Sequence, residues 1–304
     1  MAPPVRIVPS ESRLPNVPKG RSVLCVPNFR SVRPATADNQ KLRISRCARA
    51  FALASCILPA CAGTGVLAEA QNTSYWRIDV DAAHFSGDYG LAEKVTLDVL
   101  TTRIRYRTGR SEIRLSLPYL WLDGAVSIVG GAPTAGLPGS ESGPGDVSLR
   151  FDYDVVQGGG RKPWVTALLR VKAPTADPDA GLGTGETDLE GGLLFSQPLG
   201  SFSILLEGRF TKLGDPDGVD YDDVKLASVG LAKQLGARGR QQVYGFWEYR
   251  THPIQGREAR QSAALGTSRR FGSRGHVRWT AAVYAGLTET SEDWGLQTAL
   301  SREF

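Results

Sequence analysis

Apolar and polar residues alternate singly over most of the chain beyond residue 75, in runs of roughly ten to fourteen residues broken by turn-forming stretches. A period of two is the pattern of a β-strand with two different faces. In Asp146–Val155, Val147, Leu149, Phe151, Tyr153 and Val155 share one face, and Asp146, Ser148, Arg150, Asp152 and Asp154 share the other. In Trp164–Lys172, Val165, Ala167, Leu169 and Val171 oppose Thr166, Arg170 and Lys172; in Phe202–Thr211, Phe202, Ile204, Leu206 and Phe210 oppose Ser203, Glu207, Arg209 and Thr211. Similar runs near residues 75–85, 95–108, 111–121, 187–197, 222–234, 240–250, 260–271, 274–287 and 291–304 bring the total to about twelve strands. The runs at 95–108 and 222–234 alternate imperfectly, which predicts a β-bulge in each.

The connections divide by length. Thr108 to Arg110, Gln157 to Lys162, Pro198 to Gly200, Leu235 to Gly239 and Gly272-Ser273 are tight. Ser86 to Lys94, Leu122 to Gly145, Pro174 to Glu186, Gly214 to Tyr221 and Thr251 to Ala259 are longer, with Thr288 to Thr290 a short exception. Tight turns at one end and long loops at the other mark an outer-membrane barrel. The predicted fold is therefore all-β: a closed antiparallel up-and-down transmembrane β-barrel of about twelve strands. A soluble sandwich would have shorter strands and would not carry full charges at mid-strand on its inner face. Trp76, Trp121, Trp164, Trp247 and Trp294 near strand ends are read as interface aromatics.

Charge divides along the chain. Residues 1–70 hold 10 Lys/Arg against 3 Asp/Glu, so the overall +5 is a property of the leader and carries no message about nucleic acid. Residues 1–40 are read as a disordered extension and 41–70 as a signal peptide, leaving 71–304 as the barrel. Lys41, Arg43, Arg46 and Arg49 precede the weakly apolar stretch Ala50–Val66, and Ala68-Glu69-Ala70 has the small-x-small form of a cleavage site. All four cysteines, Cys25, Cys47, Cys56 and Cys61, lie in this leader, which excludes a disulfide framework from the barrel. The destination is the bacterial outer membrane, with its lipid and lipopolysaccharide as surroundings. The chain ends in Phe304 after alternate apolar residues, resembling the terminal signal read by the barrel-assembly machinery, with Arg302 departing from the pattern.

Several motifs resemble one family. Gly87-Asp88-Tyr89-Gly90, Leu117-Pro118-Tyr119, Gly143-Pro144-Gly145-Asp146-Val147, and above all Lys172-Ala173-Pro174-Thr175 followed by Gly181-Leu182-Gly183-Thr184-Gly185 and Asp188 resemble the "MetA-pathway of phenol degradation" family of outer-membrane transporters. The resemblance covers nearly all of residues 75–304 and implies a barrel with a solute-transport role, without establishing phenol as the solute.

The chemistry-bearing motifs lead away from catalysis. Gly181–Gly185 is not followed by a helix, so it lacks the geometry of a phosphate-binding loop. His84-Phe85-Ser86 has the His-x-Ser spacing of an outer-membrane phospholipase, but no asparagine follows Asn72 to orient the histidine, leaving Asp81 or Asp88 as substitutes. His252 and His276 are isolated, and no metal or cofactor site is expected. The acidic loop Asp215–Asp223 has oxygen ligands for calcium without the spacing of a calcium loop. With the apolar faces turned to lipid, Arg77, Asp79, Arg103, Arg105, Arg114, Arg150, Asp152, Arg170, Lys172, Glu207, Arg209, Glu248, Arg250 and Arg278 point inward. Cations exceed acids in that set. The reading is a channel for small polar, anionic or aromatic solutes and not an enzyme; the alternatives are a sealed barrel acting through its outer loops and, more remotely, a membrane hydrolase.

Overall fold

A computed structural model describes residues 74–136, 139–236, 240–272 and 276–304. The predicted extension, signal peptide and cysteines lie outside these residues. Among the described residues there are fifteen strands: β1 (Tyr75–Gly87), β2 (Val95–Thr108), β3 (Ser111–Asp123), β4 (Val126–Val129), β5 (Ala132–Ala135), β6 (Ser140–Pro144), β7 (Ser148–Val156), β8 (Trp164–Lys172), β9 (Asp188–Leu199), β10 (Phe202–Lys212), β11 (Val224–Leu235), β12 (Gln241–Arg250), β13 (Arg260–Phe271), β14 (Val277–Gly286) and β15 (Trp294–Glu303). Thirteen form one antiparallel sheet, in which β6 and β7 both pair with β3 and act as two halves of one strand. The barrel therefore has twelve staves. It closes because β1 pairs with β15 as well as with β2. Closure leaves no open sheet edge, as a wall in hydrocarbon requires.

The two faces of the sheet separate by polarity. Outward Leu265 is 66% exposed and Leu169 65%, whereas inward Arg150 and Arg114 are each 2% exposed. A protein core inverted in this way is stable only where lipid meets the outside and the charges satisfy one another inside. Exposed aromatics form two belts. Trp76, stacked on half-buried Tyr106, with Tyr153, Phe202, Phe271, Trp279 and Phe304 ring the short-turn end, and Tyr119 with Trp121, Trp247 and Trp294 ring the other.

Four expectations are corrected. Trp164 is not an interface residue: it faces inward, 5% exposed, against Gly158 in the β7–β8 turn. Strands β2 and β11 pair without a register shift; a shift lies instead between Asp154 and Val156 on β7. The uneven alternation has a different cause, since inward Leu97, Val99 and Leu226 are apolar like many outward neighbours. The segment 122–145 is not simply a loop, because it contains β4, β5 and β6. The connection before the last strand spans Leu287–Asp293, so the short exception disappears.

Candidate functional site

The hairpin β4–β5 turns through Gly130 and Gly131, whose φ values of 53° and 78° suit a two-residue turn that other residues reach only with strain. It folds inward at the long-loop end instead of out into solvent. A Cβ at Gly130 would come within 3.1 Å of Leu213 and 3.2 Å of Val224, so glycine lets the turn press against the opposite wall. Val129, Leu213 and Val224 pack together there. Arg250 donates from Nη1 to the Gly130 carbonyl at 3.5 Å and Arg260 from Nη1 to the Gly131 carbonyl at 3.3 Å. On the other side, the Ile128 amide donates to the Gly181 carbonyl at 2.8 Å. The glycine run of residues 181–185 is thus part of the seat of this hairpin.

Below the hairpin the lumen has two kinds of lining. One wall is a ladder of ion pairs. Arg77 meets Glu303 at 2.8 Å, Arg105 meets Asp79 at 2.5 Å, and Arg114 meets Glu112 and Asp152 at 3.3 and 3.2 Å. Arg150 meets Asp152 at 2.6 Å and Arg103 meets Asp81 at 3.7 Å, while Arg107 pairs with Asp154. Further round, Arg170 meets Glu190 at 3.0 Å, Arg209 meets Glu207 at 2.5 Å, and Arg250 meets Glu248 at 3.7 Å. Lys172 lies between Asp146 at 2.7 Å and Asp188 at 3.1 Å. The facing wall, from β11 to β15, carries small residues: Ala232, Ala264, Gly266, Ala282 and Gly295. Tyr244, Tyr284, Phe85 and Phe246 fill the space they leave, with Phe85 and Tyr284 ring centres 5.4 Å apart.

The structure places all fourteen residues of the inward set on the inner face, Arg278 among them at 5% exposure and opposite Arg270 on β13. The expected excess of cations is offset by acids outside that set, namely Asp81, Glu112, Asp146, Asp154, Asp188, Glu190 and Glu303. Alternation marks these positions as inward; what it cannot mark is which strand's acid reaches which arginine across the seam. The apolar lumen residues were also missed, because a strand with two apolar faces has no alternation to read.

Between hairpin and ladder lies a cavity of about 90 Å³. Leu97, Val99, Leu120, Ile128 and Leu182 form its apolar side. Its polar side carries Arg103, Arg170 and Lys172 together with the carboxylates Asp81, Asp146 and Asp188, and the hydroxyls of Thr101, Ser116 and Ser148. Such a space admits a small molecule with one apolar and one hydrogen-bonding side.

The remaining motifs settle elsewhere. His84 faces outward, its Nδ1 2.8 Å from Asp98 Oδ1 and its ring 4.9 Å from that of Trp294. Its partner is neither Asp81, which accepts from Gln297 inside the lumen, nor Asp88, which accepts from the Gly90 amide. In the acidic loop, Asp215 accepts from the Tyr221 amide and Asp223 from the Leu213 amide. No cluster of His, Cys, Asp and Glu suited to a metal occurs among the described residues.

His252, in the loop after β12, accepts the Ile254 amide at Nδ1. Burial, together with Arg260 and Arg257, pushes its pKa from 6.5 down to about 4. The opened loop therefore takes up a proton that the closed loop refuses. Stability of the closed loop is intact above pH 6.5, declines as pH falls towards about 4, and changes no further below. Protease nicking of residues 251–259 is expected to accelerate across that interval, and His252→Gln to flatten the profile; an unchanged profile in the variant would refute the assignment.

Comparison with known proteins follows this geometry. No curated protein matches the sequence. Among solved structures, the COG4313 outer membrane channel from Pseudomonas putida F1 superposes with a TM-score of 0.62 at 16% identity, covering 79% of this chain and 100% of its own. The β domain of the Bordetella autotransporter BrkA gives 0.43 at 13% identity, over 75% of this chain and 98% of its own. OmpT of Vibrio cholerae gives 0.36 at 9%, over 77% and 99%. Residues 80–304 match a family described as the MetA-pathway of phenol degradation. The chain is an outer-membrane β-barrel and belongs to that family.

Proposed function

We propose that the protein is an outer-membrane channel for small solutes, held shut in this structure by the β4–β5 hairpin, working without catalysis and without a cofactor. The observation that carries this reading is the cavity enclosed between a small hairpin and the inner wall. A barrel built only to be sealed needs no space at that level. The mixed lining suits small polar, anionic or aromatic solutes, and uptake of aromatic compounds agrees with the family's description. Passage requires the hairpin to lift from Arg250, Arg260 and Gly181. Exposed Phe304 at the periplasmic rim is the element we assign to recognition by the barrel-assembly machinery.

The test is conductance in planar bilayers, with liposome swelling for uncharged solutes. Arg170→Ala removes a cation from the cavity wall and leaves Glu190 with Arg209, at 3.7 Å, and the Thr211 hydroxyl. The reversal potential under a salt gradient is expected to move towards cation selectivity. A refolded barrel permeable to nothing, or a reversal potential untouched by Arg170→Ala, would overturn the proposal. The paired charges of the inner wall favour a second reading, a sealed barrel whose outer loops act, which predicts zero conductance and loss of function on trimming 122–145 or 174–186.

A further inference from the structure

The outer surface at the periplasmic end repeats one arrangement three times. Lys233 Nζ lies 5.1 Å from the centre of the Phe202 ring, the Arg269 guanidinium 5.5 Å from that of Phe271, and the Arg302 guanidinium 5.0 Å from that of Phe304. All three cations and all three rings are exposed and point away from the lumen. They lie on strands β10, β11, β13 and β15 within a few residues of the short turns, so they share one level of the barrel. Arg110 and Arg161-Lys162 extend the positive rim through the turns after β2 and β7. Among the described residues, no Asp or Glu lies on the outward face at this level; Asp79, Glu112, Asp154 and Glu303 all turn inward to arginines.

A ring at the membrane boundary anchors itself in the interface, and a long cationic side chain laid over it carries its charge outward to the headgroups. The ring also restricts the cation, so less conformational freedom is lost when a ligand arrives. Facing acids would quench such a site, and none is there. The opposite rim is mixed, with Asp98 and Asp123 on outward positions, Lys212 and Lys225 on others, and acidic loops above. Within the outer membrane, the periplasmic leaflet is the one built of glycerophospholipids, whose phosphates lie at the polar boundary of the hydrocarbon.

We infer that Lys233–Phe202, Arg269–Phe271 and Arg302–Phe304 form a girdle that binds the headgroup phosphates of anionic glycerophospholipids in the periplasmic leaflet. The inference does not depend on the channel reading. Arg302, which departs from the apolar alternation before the terminal Phe304, is explained by it: the residue serves the lipid contact.

The test uses the full mature chain in nanodiscs of phosphatidylethanolamine with graded phosphatidylglycerol, counting retained lipids by native mass spectrometry. The wild type is expected to retain phosphatidylglycerol in preference to phosphatidylethanolamine. The triple variant Lys233→Gln, Arg269→Gln, Arg302→Gln is expected to lose retention by roughly tenfold or more, and the charge-keeping Lys233→Arg, Arg269→Lys, Arg302→Lys to keep most of it. Heat-dependent gel mobility reports folding; if the triple variant does not fold, the three single Gln variants carry the test, each expected to lose about twofold. Retention unchanged on removing the charges, or equal retention of zwitterionic lipid by the wild type, would overturn the inference.

Discussion

Replacing residues 127–134 by a Gly-Ser link will raise single-channel conductance in planar bilayers by about tenfold or more, the order expected when a blocked lumen fills with water. Among the described residues, the hairpin β4–β5 is the one pair of strands that is not part of the wall. Its removal takes away Ile128, Gly130 and Gly131 from the roof of the cavity and frees Arg250 and Arg260 from the carbonyls they hold. It breaks no barrel pairing, because β4 pairs only with β5 and the wall runs from β3 directly to β6. The barrel should therefore stay folded. Conductance no higher than that of the intact chain would place the barrier in the ion-pair ladder and the aromatic fill, and would favour the sealed reading.

Glu112→Gln will destabilise the barrel by about 3 kcal/mol, seen as a lower urea midpoint or a lower temperature of heat-dependent gel shift. Glu112 is 1% exposed and has Arg105 at 3.7 Å, Arg107 at 3.9 Å and Arg114 at 3.3 Å around it. The amide keeps the shape and removes the charge, so three guanidiniums lose a shared counter-ion in a space with little water to replace it. Breaking one partner of a buried cluster costs far more than the cluster contributes relative to apolar residues of the same size. A double change, Glu112→Gln with Arg114→Gln, should recover part of the loss. A single variant as stable as the parent would mean that water reaches this level freely.

The barrel was legible because alternation is a local property: Leu149, Phe151 and Tyr153 against Arg150, Asp152 and Asp154 can be read without knowing any partner strand. The inward direction of the fourteen charged positions followed from the same pattern. The β4–β5 hairpin was not legible. Val126–Val129 and Ala132–Ala135 are four-residue strands of mostly small side chains, too short for a period to emerge, and their position inside the lumen depends on Leu213, Val224 and Gly181 far along the chain. Trp164 was misread for a related reason. Its place near a strand end is correct for an interface aromatic, but parity with Thr166 turns it inward. The Asp98 partner of His84 likewise came from strand registry, which pairs those two residues directly across β1 and β2.

The seam between β1 and β15 ties Arg77 to Glu303, residues at nearly opposite ends of the barrel sequence, and sets the Phe304 amide on the Trp76 carbonyl. The cylinder can therefore be completed only once β15 is in place beside β1. Until then the first strand has no neighbour on one side, and the first arginine has no anion. A topology whose decisive contact spans the greatest distance along the chain is slow to form and exposed to aggregation while it waits. Loss of β15 should consequently strand the whole molecule as an unfinished ribbon, rather than yield a slightly smaller barrel.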